Sequence, residues 1–523
     1  MRNWTRSPIA CATAAICAAW LATACRPAAE VDKSSPDSPL TARGAKADQD
    51  FVDVSRRVHI RKKRDDVDTG RRDYGPLWTD LDGDGWLDVV YMNHGRKPSF
   101  QLNKEGKRFE DRFEDASVDF GRRGEEPEYP GRWDRHGGSC ADFDNDGDVD
   151  LFFAHGGGKG ETLGVKYDEL VEQRDGFVFE DVTEASGTLN DGGRARLPTW
   201  VDVDRDGWLD LYVGNYYSPN VLYKNHGDGT FTDVAAELGL DLKTHTRHGW
   251  ADVDGDGDAD LVAVFPMRYF RNDGDKFHDL TRRSGLKDGL GGRSVAWGDF
   301  DDNGFPDLFV AGGLPQSSRL FSNRRGKFTA VPGNFGPEEG ERGQGAVWGD
   351  VDNDGDLDLI VANTRVIRLY ENGGESGFVE RALQTDADLD PGKGVDVALA
   401  DYDKDGYLDL ALNVDNGSYL LRNPRRGQHW LGLVLRGTAS NRMGFGASVE
   451  IAGVGGRKLR RQYFGDDGFY GSAGCGPLHV GLGAARRVDV TVRWPSGRAQ
   501  TIRRVPRDRT LRVMEPASAP SQM

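Results

Sequence analysis

Cysteine and long apolar segments are scarce in this sequence. Only five of its 523 residues are cysteine, and they form no Cys/His spacing of the zinc-binding type. Hydrophobic residues make up 37% of the chain, whereas 70 residues are glycine. This composition disfavours a helical protein and is typical of many short strands joined by turns. The chain is also long for one core, so we expect several domains or one large repeat fold.

The N-terminus carries an apolar, alanine-rich run, residues 9–24, that is too short for a transmembrane helix. Arg2 and Arg6 precede it, so residues 1–24 are predicted to be a signal peptide. Residues 25–50 are rich in Pro, Ser, Ala and Asp without a hydrophobic period, which indicates a tether. The sequence therefore predicts an exported protein.

Two processing routes fit the end of the signal peptide. Ala22-Thr23-Ala24 matches the A-x-A site of ordinary signal peptidase, which would give a secreted protein. Followed by Cys25, the same residues resemble a bacterial lipobox, although Leu21 stands one position too early. Lipidation of Cys25 would give an outer-membrane lipoprotein, which is the favoured alternative. An uncleaved anchor is the third.

Two cysteines remain beyond the signal peptide and Cys25. Cys140 and Cys475 could pair in an oxidising compartment, but nothing in the sequence brings them together. The favoured interpretation is that both are small buried thiols.

An acidic repeat dominates the chain. The pattern D-x-D-x-[DN]-G-x-x-D, followed by a hydrophobic run, occurs seven times, with starts 47 to 62 residues apart. The two longest intervals carry polar stretches at 121–132 and 156–175, which we interpret as insertions. A short strand ending in Trp often precedes the loop, and an apolar run, a Gly-rich turn and a Phe follow it. About four strands in about 50 residues are typical of a propeller blade.

Alternate acids in a tight turn supply the hard oxygen ligands that Ca²⁺ prefers. Without a cation, the carboxylates of one loop would repel one another. The sequence therefore predicts up to seven calcium sites. The predicted ligands are Asp80, Asp82, Asp84 and Asp88; Asp142, Asp144, Asp146 and Asp150; Asp202, Asp204, Asp206 and Asp210; Asp252, Asp254, Asp256 and Asp260; Asp299, Asp301, Asn303 and Asp307; Asp350, Asp352, Asp354 and Asp358; and Asp401, Asp403, Asp405 and Asp409.

These loops differ from EF-hands at one position. An EF-hand needs a bidentate carboxylate at loop position twelve, leading into a helix. Here position twelve is apolar in all seven copies and begins a β-rich run, so each loop is predicted to join two strands. The fifth loop should bind most weakly, because Asn303 replaces an acid and Pro306 stiffens its exit. Seven calcium ions would offset most of the formal net charge of −17.

The loops resemble the FG-GAP/VCBS repeats of integrin-α-like propellers over about residues 51–427. The resemblance implies an all-β, seven-bladed propeller in which the metal stabilises the blade and is not catalytic. Residues 51–54 (FVDV) are similar to the outer strand at 231–234 (FTDV) but precede the first loop. We therefore predict that they complete the seventh blade and remove an exposed edge.

The chain changes character after Pro424, where arginine replaces aspartate as the main charged residue. Short alternating strands predict a small all-β domain at 428–513 and a flexible tail at 514–523. Residues 441–447 (NRMGFGA), 465–472 (GDDGFYGS), 478–483 (LHVGLG) and 494–497 (WPSG) resemble, in order and spacing, the ASPIC/UnbV domain of the cartilage acidic protein family. Val480 is a mild departure, since Phe is usual there.

Several basic residues admit two interpretations. His479 is expected to be structural, because no catalytic partner set can be assigned around it. His136 and His248 recur just before the second and fourth loops, where repeat-specific packing is favoured over a position facing the propeller channel. A basic cluster could bind a polyanion such as an acidic glycan, or dock on the acidic propeller, and both alternatives stay open. This cluster comprises Arg457, Lys458, Arg460 and Arg461.

The favoured function is an extracytoplasmic binding or adhesion module that presents loops to a protein or glycan. The alternatives are a carbohydrate-active enzyme with its site in the propeller channel, and a structural envelope component. An enzyme is disfavoured because the patterned acids are committed to metal and no Ser/His or Cys/His set is found. The export signal disfavours nucleic-acid partners, and membrane contact is expected only through Cys25.

Overall fold

The computed structural model describes residues 50–60, 73–93, 98–116, 135–156, 167–174, 177–245, 247–274, 276–286, 291–312, 318–336, 343–389, 396–414, 417–465 and 472–517. The predicted signal peptide, Cys25, most of the tether and the insertion at 121–132 lie outside these residues. In the described part of the chain, no helix is long and apolar enough to cross a membrane.

Seven antiparallel sheets form a β-propeller, and each sheet is one blade. The strand β1 is Val52–Asp53, and blade 1 follows with β2 (Asp73–Thr79), β3 (Asp88–Asn93), β4 (Ser99–Lys104) and β5 (Arg108–Asp111). Blade 2 has β6 (Arg135–Ala141), β7 (Asp150–His155), β8 (Glu169–Arg174) and β9 (Val178–Asp181). Blade 3 has β10 (Ala195–Val201), β11 (Asp210–Pro219), β12 (Val221–Asn225), β13 (Phe231–Asp233) and an added β14 (Lys243–His245).

The remaining blades repeat the four-strand order. Blade 4 has β15 (His248–Ala251), β16 (Asp260–Val264), β17 (Met267–Asn272) and β18 (Phe277–Asp279). Blade 5 has β19 (Ser294–Gly298), β20 (Asp307–Ala311), β21 (Arg319–Asn323) and β22 (Phe328–Ala330). Blade 6 has β23 (Gly343–Gly349), β24 (Asp358–Asn363), β25 (Ile367–Asn372) and β26 (Phe378–Ala382). Blade 7 has β27 (Asp396–Ala400), β28 (Asp409–Val414) and β29 (Gly417–Arg422).

Apolar strands hold neighbouring blades face to face. The second strand of each blade is buried on both sides, as in Asp260–Val264, because a blade is covered by a neighbour on each face. Tyr212 of blade 3 packs edge-to-face on Trp250 of blade 4, with ring centroids 5.5 Å apart. Each innermost strand contacts the next, and β27 contacts β2, so the ring is closed.

The predicted closing strand is confirmed. Strand β1 pairs with β29 through Val52 opposite Arg422 and Asp53 opposite Leu421, and so becomes the fourth strand of blade 7. Phe51 is 1% exposed beside it. The backbone N–H of Phe109 in blade 1 donates to the carbonyl of residue 58 at 2.7 Å, which ties this segment to both blades.

Short helical turns follow the outer strands. The helices are α1 (Thr183–Ser186), α2 (Ala235–Leu238) and α3 (Thr281–Ser284), with 3₁₀ turns at Phe113–Asp115 and Gly374–Ser376.

The predicted insertion at 156–175 is partly wrong. Its end is strand β8, Glu169–Arg174, which pairs with β7 as the third strand of blade 2. Glutamates flank the two apolar residues of this strand, so its sequence reads as a polar stretch. Residues 157–166 lie outside the described residues.

The C-terminal domain is a sandwich of two sheets. One sheet has the order β34 (Leu478–Gly483), β30 (His429–Arg436) and β37 (Arg509–Met514). The other has β32 (Arg457–Tyr463), β31 (Ala447–Val454), β35 (Arg487–Arg493) and β36 (Ala499–Pro506). Leu433, Val449 and Val490 meet in the core between them. Glu515 is 2% exposed, so the ordered domain extends past the predicted boundary at 513.

This domain covers the face of the propeller that carries the acidic loops. Arg442 N–H donates to Asn145 Oδ1 of the second loop at 2.7 Å. Asp252 N–H of the fourth loop donates to Gln462 Oε1 at 3.0 Å. Strand β33 (Ser472–Ala473) pairs in parallel with β6, the innermost strand of blade 2, and therefore enters the ring.

The expectation of two free thiols is wrong. Cys140 on β6 and Cys475, just after β33, form a disulfide with Cα atoms 6.1 Å apart. The pairing of β33 with β6 aligns the two residues, although 335 positions separate them in the chain. The disulfide joins the C-terminal domain covalently to the propeller.

Replacement of both Cys140 and Cys475 by serine is expected to lower the free energy of unfolding by about 2–5 kcal/mol, because the bond closes a very long loop in the unfolded chain. Chemical denaturation measures this difference. The wild-type protein in reducing agent serves as control and should match the variant. Equal midpoints for the variant and the oxidised wild type would contradict the prediction.

Candidate metal centres

Each acidic loop is a hairpin between the first and second strands of its blade, as predicted. Its shape depends on two residues with left-handed backbone, at loop positions four and six. Position six is glycine in all seven loops, with φ between 85° and 113°. Position four has φ between 54° and 83° and is Gly, Asn, Arg, Asp or Lys. This backbone turns the side chains of positions one, three and five inward.

The predicted ligands converge. In at least five loops, one oxygen from each of three acids lies within 4.8 Å of the others. These groups are Asp80, Asp82 and Asp88; Asp142, Asp144 and Asp146; Asp202, Asp204 and Asp206; Asp252, Asp254 and Asp256; and Asp299, Asp301 and Asp307. Such spacing suits a single cation.

Buried oxygens without partners support the fit of a cation. In four loops, Oδ1 of the first aspartate is buried and has no hydrogen-bond partner among the described residues: Asp80, Asp142, Asp202 and Asp350. The second carboxylate oxygen accepts a hydrogen bond from the loop backbone. In the sixth loop, for example, Gly355 N–H donates to Asp350 Oδ2 at 2.8 Å. Burial, with repulsion from neighbouring acids, raises the pKa of Asp202 to about 7. A hard divalent ion fits this donor set.

The last aspartate of each loop also has a structural role that the sequence did not reveal. In the fourth loop, Asp260 Oδ2 accepts the N–H of Val253 at 3.1 Å, and its Oδ1 accepts the N–H of Asn272 at 2.8 Å. The same two bonds recur in every blade, at Asp88, Asp150, Asp210, Asp307, Asp358 and Asp409. This carboxylate joins the loop to the third strand.

A ring of side-chain amides links the blades. Asn272 Nδ2 of blade 4 donates to the carbonyl of Val203 in the loop of blade 3, at 2.7 Å. Every blade makes this bond to the one before it, and Asn103 of blade 1 closes the circle on Tyr402 of blade 7 at 2.8 Å. The other amides are Gln173, Asn225, Asn323, Asn372 and Asn423. The sequence signal for this ring is the recurrence of Asn at the end of the third strand of most blades.

Asn303 preserves the geometry of the fifth loop. Its Oδ1 accepts the N–H of Phe305 at 3.0 Å, the bond that the fifth position makes in the other loops. Its Nδ2 donates to the carbonyl of Asn323 at 3.0 Å. The substitution therefore removes a charge without changing the turn.

The histidines singled out in the sequence are engaged in packing. His248 is 1% exposed, and its Nε2 lies 2.8 Å from Thr199 Oγ1. Burial lowers the pKa of His248 to about 3, so it is neutral at physiological pH. His479 Nε2 lies 2.7 Å from Asn353 Oδ1 of the sixth loop and so joins the two domains. His136 is buried on β6.

The basic cluster divides between two roles. Arg461 is 6% exposed, and its Nη2 donates to the carbonyl of Gly355 in the sixth loop at 3.0 Å. Arg457 pairs with Asp302 and Asp356 of the fifth and sixth loops. Lys458 and Arg460 both pair with Glu450 inside the domain. These contacts favour docking on the propeller for Arg457 and Arg461.

A cavity of about 700 Å³ lies between the loop face and the C-terminal domain. Trp297 and Trp348, at the ends of two innermost strands, form part of one wall, and Trp430 and Arg512 form part of the other. Its volume is within the range of small-ligand sites.

The innermost strands, as far as they are described, carry two acids, Asp73 and Asp396. Asp396 accepts a hydrogen bond from Gly75 N–H.

Comparisons with known proteins agree with this architecture. The family model described as FG-GAP-like repeat matches residues 80–153, 142–213, 202–263, 299–361 and 350–412. The model described as ASPIC and UnbV matches residues 437–520. Together the repeat matches cover more than half of the chain.

Two relatives are forms of cartilage acidic protein 1. The Mus musculus protein is 25% identical over 505 residues, which cover 88% of this chain and 76% of the relative. The Xenopus tropicalis protein is 28% identical over 314 residues, which cover 54% of this chain and 47% of the relative. That alignment spans about half the length of the frog protein.

Two solved structures can be aligned with the chain at low similarity. An Agrocybe aegerita lectin that recognises non-reducing terminal N-acetylglucosamine has a TM-score of 0.40 and 20% identity, covering 60% of this chain and 81% of its own. Rhamnogalacturonan lyase YesW has a TM-score of 0.40 and 14% identity, covering 68% and 72%. The repeat matches, in contrast, establish the family: the chain belongs to the FG-GAP-like repeat family and carries an ASPIC and UnbV domain after its propeller.

Proposed function

We propose that this protein is an exported binding or adhesion module, in which calcium stiffens the propeller and a protein or glycan is the ligand. The cavity between the loop face and the C-terminal domain carries this proposal. Trp297 and Trp348 are only partly buried there, whereas the tryptophans at the same position of blades 1, 3 and 4 are 2% exposed. Partly exposed indoles in a concave site offer apolar faces to a ligand.

Calcium would be held by the converging carboxylates of the loops. When bound, it supplies positive charge that offsets their mutual repulsion and fixes the hairpin turn. The unpartnered oxygens of Asp142 and Asp350 are among the atoms that would contact it. The C-terminal domain rests on several of these loops. A loop that calcium holds in one conformation would therefore also fix the distance between the two walls of the cavity.

A glycan and protein array, probed with the mature protein in calcium and in EGTA, tests the proposal. We expect binding in calcium and at least a tenfold loss in EGTA or on Trp297→Ala, because the indole lines the cavity. Tyr217→Ala is the matched control, since Tyr217 is 64% exposed on the surface of blade 3 and should leave binding unchanged.

The outcomes separate the alternatives. Equal loss with Trp297→Ala and Tyr217→Ala would place the ligand outside the cavity. Binding that ignores EGTA would remove calcium from the mechanism. Cleavage of a bound glycan would favour the enzyme, and the absence of any ligand would favour a structural envelope component.

A further inference from the structure

The seven loops are not equivalent, because one side chain beside each of them changes from blade to blade. This side chain belongs to the residue directly before the inter-blade amide of the third strand, and we call it the preceding residue. In blades 1 to 7 the preceding residues are Leu102, Glu172, Lys224, Arg271, Ser322, Glu371 and Arg422. Their charge ranges from negative to positive, although the loops repeat one acidic pattern.

Lys224 places its ammonium group among the acids of the third loop. Its Nζ lies 2.8 Å from Asp204 Oδ1 and 2.8 Å from Asp206 Oδ2. It also lies 3.2 Å from Asp210 Oδ1. One cation therefore contacts loop positions three, five and nine, which are predicted metal ligands. The Lys224 side chain is 17% exposed, so these contacts are partly shielded from water.

Arg422 makes the same kind of contact in the seventh loop. Its Nε lies 2.6 Å from Asp403 Oδ2, and its Nη2 lies 2.6 Å from Asp405 Oδ2. A second guanidinium, that of Arg426, lies 2.8 Å from Asp405 Oδ2. The guanidinium of Arg422 thus bridges positions three and five, as the ammonium of Lys224 does.

Among the described side chains, no cation joins two predicted ligands of any other loop, although Arg425 Nη1 lies 3.2 Å from Asp352 Oδ2 of the sixth loop. Near the first loop, Lys104 Nζ contacts Asp82 alone among the loop acids, at 3.0 Å. In the fifth loop, Ser322 Oγ lies 3.2 Å from Asp301 Oδ2 and adds a neutral oxygen. In the second loop, the Glu172 side chain lies beside Asp144 and adds a carboxylate.

We propose that Lys224 and Arg422 close the third and seventh loops as built-in cations, so that calcium occupies the other five. Entry of Ca²⁺ into either loop would bring it close to a fixed positive charge, or would expel that side chain from its carboxylates. Both routes weaken binding. The third and seventh loops, rather than the fifth, are then the weakest calcium sites. This inference rests on the calcium binding proposed above.

Calorimetric titration of calcium into the chelator-stripped mature protein tests it, with bound ions counted by native mass spectrometry. We expect five ions for the wild type and six for Lys224→Gln, which removes the ammonium. Arg422→Gln should also give six. Lys107→Gln is the matched control, because Lys107 loses the same charge, is 76% exposed and pairs with Glu105 outside the loops. It should give five.

Stability provides a second readout that does not depend on counting. In EGTA, Lys224→Gln should melt below the wild type, because three loop acids lose their cation. In calcium the difference should shrink or reverse, because an ion replaces the ammonium. Seven ions in the wild type, or five in both glutamine variants, would overturn the inference while leaving the proposed calcium binding intact. No ion in any loop would overturn both.

Discussion

Deletion of residues 50–58 is expected to produce a large loss of stability, because it removes the strand that closes the propeller. Phe51, Val54 and Val58 are each at most 3% exposed, and full burial of one such side chain contributes about 1.5–3 kcal/mol. The deletion also removes the pairing of β1 with β29 and leaves an open edge on blade 7. Thermal and urea denaturation should both show a destabilisation of about 5 kcal/mol or more.

Two variants make this prediction specific. Phe51→Ala retains the strand and should lose about 3–5 kcal/mol, the usual range for a buried phenylalanine. Arg56→Ala is the control, because Arg56 lies in the same segment and is exposed. A deletion variant that melts like the wild type would show that the ring does not depend on its N-terminal strand.

Removal of calcium should produce the other large effect. An ion that binds only the folded state adds stability by mass action, about 2.7 kcal/mol for each site at a hundredfold excess over its Kd. Several occupied loops add several such contributions. The melting temperature in EGTA is therefore expected to fall far below that in calcium, as measured by calorimetry or circular dichroism.

A control must distinguish the effect of calcium removal from a direct effect of EGTA on the protein. EGTA with a small molar excess of calcium is the control and should restore the wild-type melt. Asp350→Asn, which changes a loop acid with an unpartnered oxygen, should reduce the difference between the two conditions. The same melting temperature in EGTA and in calcium would contradict the assignment of the loops as metal sites.

Local patterns predicted most of the propeller. The acidic motif fixed the hairpins, because alternate acids and a left-handed glycine such as Gly85 specify one turn. The apolar residues after each last aspartate predicted a strand, and the likeness of residues 51–54 to a later outer strand predicted the closure. These features depend on residues that are close together in the chain. Because the repeat shows the same local pattern seven times, the pattern is easy to recognise.

Long-range contacts were harder to predict. Cys140 and Cys475 meet only because β33 enters the ring beside β6, and no local pattern encodes that pairing. The amide of Asn272 was visible as part of a repeat, but its acceptor lies in another blade. The bridging role of Lys224 likewise depends on side-chain direction rather than spacing. Strand pairs and charge contacts between residues far apart in the chain depend on the folded structure, which local patterns do not encode.

The circle of side-chain amides has a consequence for cooperativity. In an open array of repeats, the end units have one neighbour each, so unfolding can begin there and move inward. Here Asn103 joins the first blade to the seventh, and each blade has two neighbours. Since the array has no end, the loss of one blade breaks two interfaces at once. A closed ring of this kind resists piecemeal fraying and makes the blades unfold as one unit.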